Sequence, residues 1–178
     1  GDMDRLRAQT GLPVASYFAG TKVKWLLDNV PALQQDLQDD EVRNNVCFGT
    51  VDSWLMFQLT GRAAVEDSAG ENEASAATAK AAAANCGGLF VTDVTNASRW
   101  LFMDLKTLQW DEELMEQVCR GSKVSLPMSA LPEIMSSSQV YGHCVKGFGE
   151  TALEGTPIAG ILGDQQAALF GQGAFSPG

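Results

Sequence analysis

The stretch Thr156-Pro157-Ile158-Ala159-Gly160-Ile161-Leu162-Gly163-Asp164-Gln165-Gln166-Ala167-Ala168-Leu169-Phe170 limits the possible folds of this chain more than any other. The apolar run over 156–162 reads as a buried strand, with Pro157 at its first position, where a missing N–H is tolerated. Gly163-Asp164 then leads without a linker into Ala167-Ala168-Leu169-Phe170, which reads as a helix. Strands alternating with helices in this way, with a further strand expected over 138–145, define an α/β architecture. Ligands of open α/β folds bind at the carboxyl rim of the sheet, so this turn delivers the Asp164 carboxylate to that rim. A carboxylate there can accept a proton from a substrate hydroxyl, and Gln165 beside it offers both a donor and an acceptor to a second hydroxyl, which suits a polyol. The same residues have a plainer reading, in which Asp164 only caps the helix that follows.

Upstream, Val23, Leu26, Leu27 and Val30 recur at the i, i+3, i+4, i+7 spacing of an amphipathic helix over 21–30, with Trp25 beside the stripe and Pro31 to stop it. A second helix is expected over 52–60, between Thr50 as its cap and Gly61. Its run Trp54-Leu55-Met56-Phe57 is apolar nearly all round and is expected to be buried. Asp111 is placed to cap a helix reaching 118, with Glu112 and Glu113 near its positive end and Trp110 available to staple onto Met115. Residues 62–88 change character to Ala, Ser, Glu and Asn and read as an inserted, low-complexity surface segment, disordered or weakly helical. Residues 91–99 are dense in short polar side chains of the kind that satisfy turns and caps, which favours a structural role. Tyr17, in a loop just ahead of the first amphipathic helix, is either a core anchor or one wall of a small-molecule pocket. Lys146-Gly147-Phe148-Gly149 lacks the Gly-Lys-Ser/Thr ending of a phosphate-cradling loop.

The balance of charge excludes some partners. With a formal net charge of -10 the chain offers no basic surface for nucleic acid or an anionic membrane, whereas a nucleotide held by backbone N–H groups and a metal ion is compatible with it. The four cysteines show no Cys-x-x-Cys spacing and His143 is the sole histidine, so no metal site is expected and the thiols read as reduced, in an intracellular setting. No apolar run approaches the ~20 residues that span a bilayer, and the first residues lack a charged-then-apolar signal. The first residue is not Met and the last four, Phe175-Ser176-Pro177-Gly178, form a turn, so both ends read as cuts within a longer protein.

Four stretches, in order, carry a resemblance to a known family: Tyr17-Phe18-Ala19-Gly20-Thr21-Lys22-Val23-Lys24-Trp25-Leu26-Leu27-Asp28-Asn29, Phe48-Gly49-Thr50-Val51-Asp52-Ser53-Trp54-Leu55, Thr92-Asp93-Val94-Thr95-Asn96-Ala97-Ser98-Arg99 and Gly163-Asp164-Gln165-Gln166-Ala167-Ala168-Leu169-Phe170-Gly171-Gln172. The chain resembles the FGGY carbohydrate kinases, the glycerol kinases in particular, nearly throughout except for the Ala-rich insertion. The resemblance implies part of a ribonuclease-H-like, actin-type ATPase domain, forming the middle and later parts of the N-terminal half. It implies transfer of the γ-phosphate of ATP, with Mg²⁺, to glycerol, Asp164 serving as general base and Tyr17 and Gln165 contacting the glycerol hydroxyls. It further implies a homo-oligomeric full-length protein in the cytoplasm or in an organelle such as a glycosome.

Three features depart from the family pattern. Ala19 stands where Ser, Thr or Pro is usual. The loop after Tyr141 is longer than in bacterial enzymes and carries no arginine, so inhibition by fructose 1,6-bisphosphate is expected to be absent. The phosphate loop, the Arg-Glu glycerol contacts and the adenosine-binding glycines of the family are expected outside residues 1–178, so this chain by itself is expected not to turn over glycerol. A kinase of another sugar or polyol, and a non-catalytic actin-fold relative, are the competing readings.

Overall fold

The structure is a computed structural model and describes residues 2–61, 87–145, 153–174 and Ser176. Most of the Ala-rich segment and all of Lys146-Gly147-Phe148-Gly149 therefore lie outside the described residues.

Helix α1 (Asp2–Thr10) is followed by α2 (Ala19–Asn29), α3 (Pro31–Gln38), a 3-10 turn (Arg43–Asn45) and α4 (Val51–Thr60). Then come β1 (Val91–Asp93), the short α5 (Val94–Ala97), β2 (Met103–Asp104), β3 (Gln109–Trp110) and α6 (Glu112–Val118). A 3-10 turn (Met128–Ala130) leads to β4 (Glu133–Met135), β5 (Ser138–His143), β6 (Pro157–Gly160) and α7 (Asp164–Gly171). Among the described residues β1 pairs with β4 in parallel, β2 with β3 antiparallel, and β5 with β6 antiparallel with an irregularity between Ser138 and Gly142.

The expected helix over 21–30 is α2, and its Val23 and Leu27 are buried in the main core with Trp100, Phe102 and Met115, while Trp25 points outward and is 60% exposed. Pro31 does more than stop this helix. Its fixed φ and missing N–H also suit the first turn of α3, which begins at that residue with no intervening loop. Asp111 caps α6 as its position predicts, accepting from the Leu114 N–H at 2.9 Å. Met115 is buried in the main core cluster and Trp110 packs against that cluster, its indole N–H donating to the Pro132 carbonyl at 2.7 Å.

Two expectations are corrected. Helix α4 is not buried all round: Ser53, Met56 and Thr60 face inward, whereas Trp54 is 55% exposed and Val51 and Leu55 are exposed too. Its inward face is fixed by polar ties that compositional reasoning overlooks. Thr60 Oγ1 donates to the Met56 carbonyl and accepts from the Leu89 N–H, both at 2.7 Å, and Asp52 accepts from the Thr92 hydroxyl at 2.6 Å. The strand leading to Asp164 is not a buried one either. β6 forms a two-stranded ribbon with β5; Ile158 is half-buried, the other three residues of β6 are exposed, and Ile161 just past its end is buried. Gly87 and Gly88, the last residues of the compositional segment 62–88, are buried, and a Cβ at Gly88 would sit 1.9 Å from the Phe57 carbonyl oxygen of α4.

Candidate active site

Asp164 is the first residue of α7, and Gly163, not Asp164, holds the N-cap position. The capping reading of Asp164 therefore fails. Among the described residues its Oδ1 accepts only the neighbouring Gln165 N–H, at 2.7 Å, and both residues are exposed.

The turn ahead of α7 is held by a buried polar cluster. Asp93, at the carboxyl end of β1, is 0% exposed and caps α5. Its Oδ1 accepts from the Asn96 N–H at 3.0 Å and the Asn96 amide at 2.8 Å, and its Oδ2 from the Thr95 N–H at 3.1 Å and the hydroxyls of Thr95 and Ser137, each at 2.6 Å. Thr95 Oγ1 in turn accepts from the Gly163 N–H at 2.7 Å. The carboxyl ends of β1 and β6 thus meet next to Asp164, and the Ile161 N–H, donating to the Ser137 carbonyl at 3.1 Å, adds the chain just past β4 to the same junction. The junction is built by joined two-stranded pairings and not by the rim of one open sheet.

Burial by itself would raise the Asp93 carboxyl, but hydrogen bonds from Ser137, Thr95 and Asn96 outweigh it and hold the group below its ordinary value of 3.8. A depressed folded value means that the associated stability is present above the unfolded value and is lost as pH falls through the folded one. Urea midpoints are accordingly expected to drop when pH is lowered from neutrality to below about 4, and Asp93→Asn is expected to be less stable at pH 7 with a shallower acid loss. Equal acid slopes in the two proteins would show that Asp93 is not the linked group. Tyr141 beside this cluster is pushed up to about 12 by burial and by the Asp93 and Asp52 charges, so it stays a neutral phenol.

Tyr17 is 67% exposed, in edge-to-face contact with Phe18 at 5.3 Å between ring centres, and it is Phe18, 6% exposed, that anchors the loop in the core. The Arg99 guanidinium lies 5.9 Å from the Tyr17 ring centre and 5.0 Å from that of Phe18, a cation–π arrangement. The first N–H groups of α2, left without a side-chain cap, donate to the Arg99 and Trp100 carbonyls at 3.3 and 2.9 Å. Among the described residues no hydrogen bond or ring contact joins Tyr17 to Asp164. What they share is support: the segment from Asp93 to Trp100 holds the Asp164 turn through Thr95 and the Tyr17 loop through Arg99 and Trp100. The short polar side chains of this segment satisfy turns and caps, as expected, and no local pattern relates Thr95 to Gly163.

A separate cavity of about 460 Å³ is bordered by Arg43, Met115, Cys119, Lys123 and Met128, and neither Tyr17 nor Asp164 lines it. The Cys119 thiol there is pushed up to about 11 by burial, which keeps it protonated and unreactive at neutral pH. No group of three metal-ligating side chains occurs among the described residues, and no described helix is long and apolar enough to cross a membrane.

A carboxylate and an amide stand side by side at the first turn of a helix whose entry is pinned to the end of a neighbouring strand, in a fold of the actin-like ATPase class. The chain belongs to the FGGY family of carbohydrate kinases, matching that family's N-terminal domain over residues 1–77 and 84–171. It is 43% identical over 178 residues to the glycerol kinase of Brucella anthropi and 45% identical over 178 residues to that of Pseudarthrobacter chlorophenolicus, in each case over 100% of this chain and 28% of the relative. Among solved structures, the crystal structure of Plasmodium falciparum glycerol kinase with ADP superposes with a TM-score of 0.70 at 30% identity, over 99% of this chain and 28% of that one. The α/β, ribonuclease-H-like actin-type fold expected from the sequence agrees with this. The chain spans little more than a quarter of the length of the relatives it matches.

Proposed function

We propose that the protein carrying this chain transfers the γ-phosphate of ATP to glycerol, giving glycerol 3-phosphate, and that this chain supplies the acceptor side of the site as part of the N-terminal kinase domain, with the Ala-rich segment at 62–88 as an insertion. Asp164 is the base in this reading. A terminal hydroxyl of glycerol gives its proton to the Asp164 carboxylate as its oxygen bonds to the γ-phosphorus, and the bond from that phosphorus to the β–γ bridging oxygen breaks to release ADP. Gln165 and Tyr17 bind the remaining hydroxyls. Mg²⁺, when bound, would neutralise phosphate charge. The observation that carries the reading is the exposed Asp164-Gln165 pair on a turn whose backbone is fixed from beneath by Thr95, in a chain of this family. A homo-oligomeric state and an intracellular location, cytoplasmic or organellar, rest on family resemblance alone.

The test is ATP-dependent phosphoryl transfer by the full-length protein to glycerol and to a panel of pentoses, hexoses and larger polyols. Glycerol is expected to give the highest kcat/KM. A preferred sugar would replace glycerol and keep the kinase, and failure of every acceptor would favour a non-catalytic relative. The 178 residues alone are expected to be inactive.

A further inference from the structure

We propose that Asp93 and Thr95 form a positioning relay that holds Asp164 in place for proton transfer, an inference that rests on reading Asp164 as the base. Asp93 is a fully buried carboxylate that no step of the proposed chemistry uses. Capping the four-residue helix α5 needs only the Thr95 and Asn96 N–H groups, yet Asp93 also collects two hydroxyls and an amide. Burying a charge is costly unless it is hydrogen-bonded throughout, so donors beyond the cap requirement point to a second task.

That task is visible at Thr95. A hydroxyl has one proton, and here it is committed to Asp93 Oδ2 at 2.6 Å. The oxygen is thereby left with only lone pairs facing the Gly163 N–H at 2.7 Å. The sequence of bonds from Gly163 N–H through the Thr95 hydroxyl to the Asp93 carboxylate therefore has one polarity, and a bond to an ionised acceptor at its end strengthens it. Gly163 is the residue immediately before Asp164 and has no side chain with which to cap α7 itself. A Cβ on it would lie 2.9 Å from Gln166 Oε1 and 3.4 Å from Thr95 Oγ1, so glycine permits this close approach. The turn is anchored from below while Asp164 and Gln165 face solvent, which is the arrangement needed to hold a base at fixed distance from a bound hydroxyl.

The experiment uses the full-length protein and compares kcat and KM for glycerol and ATP in wild type, Thr95→Val, Thr95→Ser, Ser137→Ala and Asp164→Asn, with urea midpoints for each. Thr95→Val keeps the shape and removes both bonds, and it is expected to lower kcat by about ten- to a hundredfold, with KM for ATP changed by less than about twofold. Thr95→Ser retains the hydroxyl and is expected to recover most of the rate. Ser137→Ala removes a donor to the same Asp93 oxygen but leaves the Thr95–Gly163 bond in place, and is expected to lower the urea midpoint with a smaller fall in kcat than Thr95→Val. In an Asp164→Asn background Thr95→Val is expected to add little, since the relay acts through Asp164. If Thr95→Val lowers only the urea midpoint and leaves kcat at the wild-type value, the relay is overturned and the cluster is purely structural. If Asp164→Asn keeps its rate, the base assignment itself is what has failed. Should Thr95→Val not fold, Asp93→Asn carries the same comparison, because an amide has one acceptor oxygen and cannot serve the donors now shared between both carboxylate oxygens.

Discussion

Asp164→Asn in the full-length protein is expected to lower kcat for glycerol phosphorylation by about two to four orders of magnitude, the usual range for losing a general base. Asparagine has the same size and retains an oxygen for the Gln165 N–H, so the first turn of α7 is kept. What it lacks is affinity for a proton, and the acceptor hydroxyl then attacks while still carrying its own. Because the hydrogen bond to the bound hydroxyl survives in the ground state, KM for glycerol should move far less than kcat. A rate within about threefold of wild type would remove Asp164 from the mechanism, for no general base is worth so little. A loss confined to KM would make Asp164 a binding group instead.

Gly20→Ala is expected to destabilise the protein by about 3 kcal/mol, the upper part of the range for overpacking a core. The reason is a close approach between backbones. A Cβ at residue 20 would lie 2.3 Å from the Trp100 carbonyl oxygen and 2.9 Å from the Phe102 ring, and the first of these is main chain that no rotamer change can move. That carbonyl accepts the Gly20 N–H at 2.9 Å, so relief of the clash also breaks the bond that starts α2. The neighbouring Leu101 already holds φ at 71°, unusual for a residue with a side chain, and has little freedom left to absorb the shift. Denaturant unfolding of the variant checks this, and a loss below about 1 kcal/mol would mean that α2 tilts away at little cost. Since Tyr17 precedes α2, a rise in KM for glycerol should accompany the destabilisation.

The elements that sequence made legible are those with local causes. The stripe of Val23 and Leu27 and the Asp111 cap work over three or four residues, and both α2 and α6 form where these signals lie. Helix α3 was hidden because Pro31 signals a stop and a first turn equally well. The exposure of Trp54 was hidden because α4 takes its orientation from Thr60 and Asp52, whose partners Leu89 and Thr92 are 29 and 40 residues away. The same limit applied at the site. Asp164 and Gln165 could be picked out from a strand-turn-helix pattern, whereas Asp93 looked like an ordinary turn residue. Its bond to Ser137 and the bond of Thr95 to Gly163 join residues that no local pattern relates.

Those two bonds span 44 and 68 residues, and the parallel pairing of Val91 with Glu133 closes a loop of similar length. Contacts so distant along the chain form only after the entropy of closing large loops has been overcome, which places them late in folding. Helices α2 and α6, with their local caps and stripes, are expected to consolidate earlier. The junction that fixes Asp164 is therefore expected to mature after these local elements, so that a newly made chain acquires its helices before it acquires a site able to react.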